Sequence, residues 1–219
     1  MNMTGQSQKN GQSSGETAYE ALMHSIRSGV FKPGDRLREE DVAERLSLSR
    51  TPVREALRRM EADGIVEHRP RIGAVIRKLD HAEIVELYEM RMVLERTAAE
   101  MAAKHGTDAE FDNLDDINAR MEHELENPAI AAAINQQFHQ ALYLACRNRF
   151  LLEAARSLNN SLLLLGPTTY TDEERITTVV RQHRDIVDAL RQSDTVAAGA
   201  AAEAHLQTSL RHRLQSLDR

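Results

Sequence analysis

Three arginines in the first third of the chain have the spacing and chemistry for contact with a polyanion. Arg50, Arg54 and Arg58 recur every fourth residue, so on a helix they form one row along a single face. A planar guanidinium group can bond two acceptors of a guanine base or clamp a phosphate. The alternative is that these arginines only form surface ion pairs, with Glu55 and Glu61 as partners.

This arginine row lies in a basic stretch of an otherwise acidic chain. Residues 45–78 contain nine Lys/Arg and four Asp/Glu, a net charge of +5, whereas the remaining residues carry −11. The asymmetry favours a local polyanion contact. The 219 residues are 41% hydrophobic and only 4% aromatic, with 10 Gly and 5 Pro. That composition excludes a collagen-like or largely disordered chain and favours an aliphatic, helical core.

A turn precedes the arginine row, and a predicted helix cap follows its first arginine. Thr51 is predicted to cap a helix whose first residue is Pro52, and Ser47–Ser49 form a tight connection to a preceding short helix. Two short helices joined in this way are typical of a helix-turn-helix, whose second helix reads the major groove of DNA. Arg69 and Arg71, on the predicted hairpin tip, would reach the minor groove or the backbone. The predicted elements are helices over 17–28, 39–46 and 51–63, and strands over 65–68 and 74–77.

The run PGDRLREEDVAERLSLSRTPVREALRRMEADGIVEHRPRIGAVI, from Pro33 to Ile76, resembles the winged-helix domain of GntR-family bacterial transcription regulators. The resemblance implies DNA contacts from Ser49, Arg50, Thr51 and Arg54, with a wing contact near Gly73. The chain departs from the pattern at Glu40, where some members carry a DNA-contacting arginine. Arg38 is the expected substitute.

Three histidines occupy apolar stripes of later predicted helices. His139, His183 and His205 would converge in one core, and Asn135 lies one turn before His139. Imidazoles from three helices with a nearby oxygen donor predict a site for a divalent transition metal, with Zn, Ni and Mn as candidates. The alternative for each histidine alone is an ordinary hydrogen-bonded core residue.

The second part of the chain is predicted to be entirely helical. The fold is therefore mainly α, with an N-terminal winged helix-turn-helix over 16–78 and a C-terminal helical bundle over 79–219, after a disordered tail over 1–15. The predicted bundle helices lie at 81–104, 108–126, 129–146, 149–165, 172–192 and 194–216.

Residues 80–215 resemble the FCD effector domain of the FadR subgroup, in its VanR-like six-helix form. The family pattern is Asp-x-x-x-His followed by two single histidines, and this chain places Asn135 where the family has Asp. The resemblance implies a metal held by Asn135, His139, His183 and His205, and a small organic acid beside it. It also implies that Arg91 binds the acid, although an ion pair with Glu95 is the alternative for this arginine.

These observations predict a DNA-binding regulator and no enzyme. We expect a homodimer on a palindromic operator, and repression that a small carboxylate releases. One alternative is a metal sensor in which the ion is the signal. The other is a metal-dependent hydrolase, which the lack of a base-bearing H-E-x-x-H motif disfavours. A single cysteine, Cys146, and no apolar run of membrane-spanning length predict a cytoplasmic protein without membrane contact.

Overall fold

The computed structural model describes residues 13–166, 168–170 and 172–217. Contacts divide the chain into two compact units, Met1–Lys78 and Leu79–Arg219, which we call the winged unit and the helical unit. The predicted mainly α architecture, with a winged helix-turn-helix followed by a helical bundle, is confirmed. No described helix combines the length and apolar character that crossing a membrane requires.

The described part of the winged unit contains three helices and a small antiparallel sheet. Helix α1 packs on α3, and the strand order is β1-β3-β2. The pairs Val66↔Ile76 and Arg69↔Gly73 set the register of the wing hairpin. The elements are α1 (Ser14–Arg27), β1 (Arg36–Leu37), α2 (Glu39–Leu46), α3 (Arg50–Ala62), β2 (Val66–Arg69) and β3 (Gly73–Ile76).

Several predicted boundaries in the winged unit are wrong by one to three residues. Helix α1 begins at Ser14 because the Ser13 hydroxyl accepts a hydrogen bond from the Glu16 N–H. The predicted tail is therefore wrong at its last two residues, while residues 1–12 lie outside the described chain. Strand β1 was not predicted, because two residues paired to β3 leave no alternation to detect.

The start of helix α3 also differs from the prediction. Helix α3 begins at Arg50 with Ser49 as its N-cap, so Thr51 and Pro52 lie inside the first turn. Proline is tolerated there because the first four N–H groups of a helix have no intrahelical acceptor. Both strands of the wing hairpin are shifted by one residue towards its tip relative to the prediction. Strand β2 therefore ends at Arg69, and strand β3 begins at Gly73.

The helical unit contains the six predicted long helices. Helix α4 packs along α9, α8 packs on α9, and α5 contacts both α6 and α8 around an aliphatic core. Helix α5 ends before the predicted residue 126, and the predicted helix 149–165 gives way to a short 3-10 helix over its last turn, Leu162–Leu165. The helices are α4 (His81–His105), α5 (Asp108–Glu122), α6 (Pro128–Ala145), α7 (Arg149–Ser161), α8 (Glu173–Arg191) and α9 (Thr195–Leu217).

Candidate nucleic-acid interface and metal-ligand cluster

Helix α3 has one buried and one exposed face, as the sequence predicts. Its apolar residues are buried in the winged unit, whereas the arginine row is exposed. Ser49 and Thr51 are exposed at the N-terminal end, where the helix dipole favours anions, and Ser49 makes no side-chain capping bond. The buried residues are Pro52, Val53, Ala56, Leu57 and Met60.

Two arginines of the row form ion pairs with acids of the preceding helix. Nε and Nη2 of Arg54 each donate to a carboxylate oxygen of Glu39 at 2.8 Å. Nη1 of Arg50 lies 3.1 Å from Oε1 of Glu40. The hydrogen bond from Arg54 lowers the pKa of Glu39. Surface ion pairs are therefore present, as the alternative interpretation of the arginine row predicted. Their acidic partners are Glu39 and Glu40 of α2 instead of Glu55 and Glu61.

These ion pairs are exposed and can exchange their partners. The side chains of Arg50 and Arg54 keep 58% and 53% of their accessible surface. Exposed pairs of this kind contribute only about 0–1 kcal/mol, less than the about 1–3 kcal/mol of a good bidentate contact to a base. No ion pair of Arg58 is found among the described residues.

The wing hairpin presents the other predicted residues. Arg69 pairs with Glu67, with Nη2 2.6 Å from Oε1, and both side chains remain well exposed. Arg71 has φ +66° and Gly73 has φ +96°. Glycine tolerates that region, but an arginine pays a steric cost there. Near Glu40, the position at which some family members carry an arginine, Arg38 Nε lies 4.0 Å from Oδ2 of Asp41.

The three predicted histidines meet in the core of the helical unit. Their possible ligand atoms all lie within 4.8 Å of one another, and all three rings are buried. The ring of His183 stacks on Phe138 with 3.7 Å between centroids. The sequence prediction that His139, His183 and His205 converge is confirmed by this geometry.

Each ring directs Nδ1 to an oxygen acceptor. His183 Nδ1 lies 3.1 Å from Asn118 Oδ1, His205 Nδ1 lies 3.1 Å from Gln182 Oε1, and His139 Nδ1 lies 2.5 Å from Glu95 Oε2. The amide of Asn118 donates to the Val180 carbonyl and that of Gln182 to Thr208, so both amide oxygens face the rings. In His183 and His205, Nδ1 therefore carries the proton and Nε2 keeps its lone pair.

The Nε2 atoms have fewer partners within the chain than the Nδ1 atoms. His205 Nε2 lies 3.3 Å from His139 Nε2, and His183 Nε2 is buried without a hydrogen-bond partner in the described structure. Oδ1 of Asn135 is likewise buried and lacks a partner there. Burial, followed by the interactions with neighbouring histidines, lowers the pKa of His183 and His205, which disfavours the charged form of both rings. Electron-pair donors in this arrangement are what a cation site requires.

Arg91 is connected to this cluster through Glu95. Its Nη2 donates to Glu95 Oε1 at 2.9 Å, and the other oxygen of Glu95 contacts His139. Burial alone would raise the pKa of Glu95, but its interactions with His139 and Arg91 outweigh burial and hold it at about 2. The ion pair named as the alternative for Arg91 is therefore present, while Nε of Arg91 is buried without a partner among the described residues.

Sequence reasoning missed the residues that surround the cluster. Arg175 lies eight residues before His183, and Ser209 lies four after His205, so each shares a helix face with its histidine. A charged residue on an otherwise apolar stripe was the available signal. Asn118 offered none beyond its helix face, because its contact with His183 depends on how α5 packs against α8. The missed residues are Asn118, Arg175, Gln182 and Ser209, and Glu95 was named only as a partner of Arg91.

Comparison with known proteins identifies the family. Residues 14–76 match the model of bacterial regulatory proteins of the gntR family, and residues 86–208 match the FCD domain. Since the FCD match alone spans more than half of the chain, the protein belongs to the GntR-family transcriptional regulators with an FCD domain. It is a DNA-binding regulator and not an enzyme.

Relatives and a solved structure agree with this assignment. The uncharacterized HTH-type transcriptional regulator YdhC of Bacillus subtilis (strain 168) is 30% identical over 197 residues, 89% of this chain and 88% of the relative. A probable D-xylose utilization operon transcriptional repressor of Paenarthrobacter nicotinovorans is 29% identical over 195 residues, 86% of this chain and 84% of the relative. The structure of E. coli McbR/YncC has the same fold, with a TM-score of 0.80, 21% identity and coverage of 94% and 99% of the two chains.

Proposed function

We propose that the protein is a homodimeric repressor that binds a palindromic operator and is released by a small organic acid. The observation that carries the DNA-reading part is the exposed arginine row on helix α3 of a GntR-type winged unit. A dimer would place two such helices about 34 Å apart, one turn of B-DNA. A regulator of this kind acts in the cytoplasm, where bacterial DNA lies.

We assign the DNA contacts by chemistry. Arg50 and Arg54 exchange their α2 acids for base edges or phosphates, and Arg58 follows along the same face. The Ser49 and Thr51 hydroxyls donate to phosphate at the helix N-terminus. The wing residues Arg69, Arg71 and Gly73 approach the minor groove or the adjacent backbone, with Gly73 supplying the backbone turn.

We propose that the histidine cluster holds one divalent transition metal. The converging Nε2 atoms of His139, His183 and His205, and the orphaned Oδ1 of Asn135, fit a four-donor site. Zn, Ni and Mn are candidates, and Asn135 supplies an oxygen without the charge of the family's Asp. When bound, the ion would act as a Lewis acid that holds an anionic group of the effector. Glu95, Asn118 and Gln182 orient the three imidazoles.

We place a carboxylate of the effector against Arg91, whose Nε has no partner among the described residues. The ligand shifts the regulator only by its different affinity for the DNA-bound and free states. The metal-sensor alternative remains distinct, because there the ion alone changes DNA affinity. The hydrolase alternative is disfavoured because the family consists of transcriptional regulators. It is also disfavoured because both oxygens of Glu95 are occupied, one by Arg91 and the other by His139.

The test is selection of DNA sites by the full-length protein from a random duplex pool, followed by a reporter assay. We expect an inverted repeat with half-sites one helical turn apart, and lower reporter expression when the protein is produced. Asymmetric single sites contradict the dimer, and a rise in expression contradicts repression. Titration of operator binding with zinc, nickel or manganese, with and without small acids, separates release by an acid from release by the ion alone.

A further inference from the structure

The core of the helical unit carries more buried positive than negative charge. Arg91 and Arg175 are buried there, whereas the one buried carboxylate among the described residues is Glu95, the partner of Arg91. A buried charge that lacks an ionic partner is costly, and chains retain such groups where a ligand completes them.

Arg175 is the least satisfied of these groups. Its side chain is buried, at 3% exposure. Nη2 donates to the Ser209 hydroxyl at 3.0 Å, and neither Nε nor Nη1 has a partner in the described structure. A neutral hydroxyl cannot balance the charge. Burial is the main influence on its pKa and lowers it, and the acid that opposes this, Asp172, is exposed at the helix cap.

The position of Arg175 links it to the proposed effector site. It stands two helical turns before His183, and its partner Ser209 stands one turn after His205. Its guanidinium group lies over the ring of Tyr170, 5.6 Å from the centroid, as that of Arg91 lies over Tyr88 at 5.0 Å. Burial raises the pKa of Tyr170, and the charges of both Arg175 and Arg91 oppose that rise, so both arginines act at this ring.

We propose that Arg175 is a second anion-binding residue of the helical unit, so that the effector is a small molecule with at least two carboxylates. One carboxylate is taken by Arg91 and the metal, and the other by Arg175. This inference rests on the proposed function, in which the helical unit binds an organic acid. It adds two points to that function: the acid carries two negative charges, and Arg175 binds the second carboxylate. A diacid supplies one carboxylate for the Nε of Arg91 and another for the Nε and Nη1 of Arg175, the guanidinium atoms that lack partners among the described residues.

The first experiment measures binding to the zinc-loaded full-length protein by calorimetry. The probes are malonate, succinate and glutarate, each paired with its monoamide, which keeps the size and removes one charge. At least one diacid binds, and its monoamide binds roughly tenfold to a hundredfold more weakly. The Arg175→Gln variant loses that preference, while Arg181→Gln, an exposed arginine of the same helix, keeps it. Metal content after each titration excludes extraction of zinc by the probe.

The second experiment needs no ligand. A residue held in the core for a ligand costs stability when the site is empty, so Arg175→Gln raises or preserves the melting temperature of the acid-free protein. A purely structural role predicts a lower melting temperature for Arg175→Gln.

The inference is overturned if no diacid of the panel binds, if monoamides bind as tightly as diacids, or if Arg175→Gln keeps the preference for the diacid. It is also overturned if Arg175→Gln melts well below the parent protein. Operator binding and metal content of the acid-free parent protein report on the proposed function separately. Their failure is therefore distinguishable from failure of the second anion contact.

Discussion

The winged unit and the helical unit treat charge in opposite ways. Around α3 the basic side chains are exposed to water, and Arg50 and Arg54 also pair with neighbouring acids of the chain. In the helical core, His183, Asn135 and Arg175 keep buried polar atoms without partners among the described residues. The first arrangement exchanges partners at small cost. The second is incomplete until something outside the chain enters it.

Substitution of the arginine row is expected to have the largest effect of the changes that test this contrast. The double variant Arg50→Ala/Arg54→Ala removes two guanidinium groups that we expect on base edges or phosphates. Operator affinity falls by about a hundredfold or more, since each good bidentate contact contributes about 1–3 kcal/mol. Fluorescence anisotropy with the selected operator and a scrambled duplex measures it.

The matched control is Arg184→Ala, which also removes an exposed, ion-paired arginine, here the partner of Glu122 in the helical unit. It leaves operator affinity unchanged. Equal operator binding by the parent and the double variant would remove α3 from the interface.

In the helical core, Glu95 offers the next largest effect. Glu95→Gln keeps the size of the side chain but weakens its hold on His139 Nδ1 and removes the charge facing Arg91. Loss of such an orienting partner costs about tenfold to a hundredfold in metal affinity. Competition with a zinc-binding dye measures this loss. Glu100→Gln, on the exposed side of the same helix, is the control with unchanged affinity, and an unchanged Glu95→Gln refutes the orienting role.

The stability of metal-free protein depends on pH through the same cluster. Burial lowers the pKa of His183 and His205 well below 6.5 in the folded chain, whereas unfolding restores ordinary values. Below about pH 6.5 the unfolded chain therefore binds protons that the folded chain does not. Stability therefore falls as the pH drops from 7 to 5. Thermal melts in chelator show the decline, and the His183→Gln/His205→Gln variant flattens it. Identical parent melts across this range exclude buried neutral rings.

Substitution of Arg71 in the wing is expected to have two smaller effects in opposite directions, one on stability and one on DNA affinity. Arg71→Gly relieves a side chain at φ +66°, a strain of about 1–2 kcal/mol before the flexibility of glycine in the unfolded chain is subtracted. The melting temperature stays or rises slightly, while DNA affinity falls a few-fold and becomes less dependent on salt. Melting curves and a salt series of operator binding measure the two effects. A destabilised variant with unchanged DNA affinity makes Arg71 structural.

The sequence predicted the elements and the convergence of the histidines well, because both depend on local spacing. Helical periodicity and the Ser49–Leu57 run placed the arginine row, and apolar stripes placed His139, His183 and His205 inward. The contacts that cross between elements were missed. The pairing of Arg54 with Glu39, and of His183 with Asn118, depends on how helices pack, which spacing along one helix cannot specify. Arg175 was detectable as a cation on the His183 stripe.

Elemental analysis of the purified full-length protein tests the incomplete core most directly. After equilibration with zinc and gel filtration, we predict about one ion per chain for the parent, tighter retention in Asn135→Asp and none in His183→Ala. Circular dichroism confirms that the variants fold, and His212→Ala, outside the cluster, retains the ion. A parent protein that holds no zinc, nickel or manganese, or a His183→Ala variant that holds as much as the parent, would contradict the assignment of this core as a metal site.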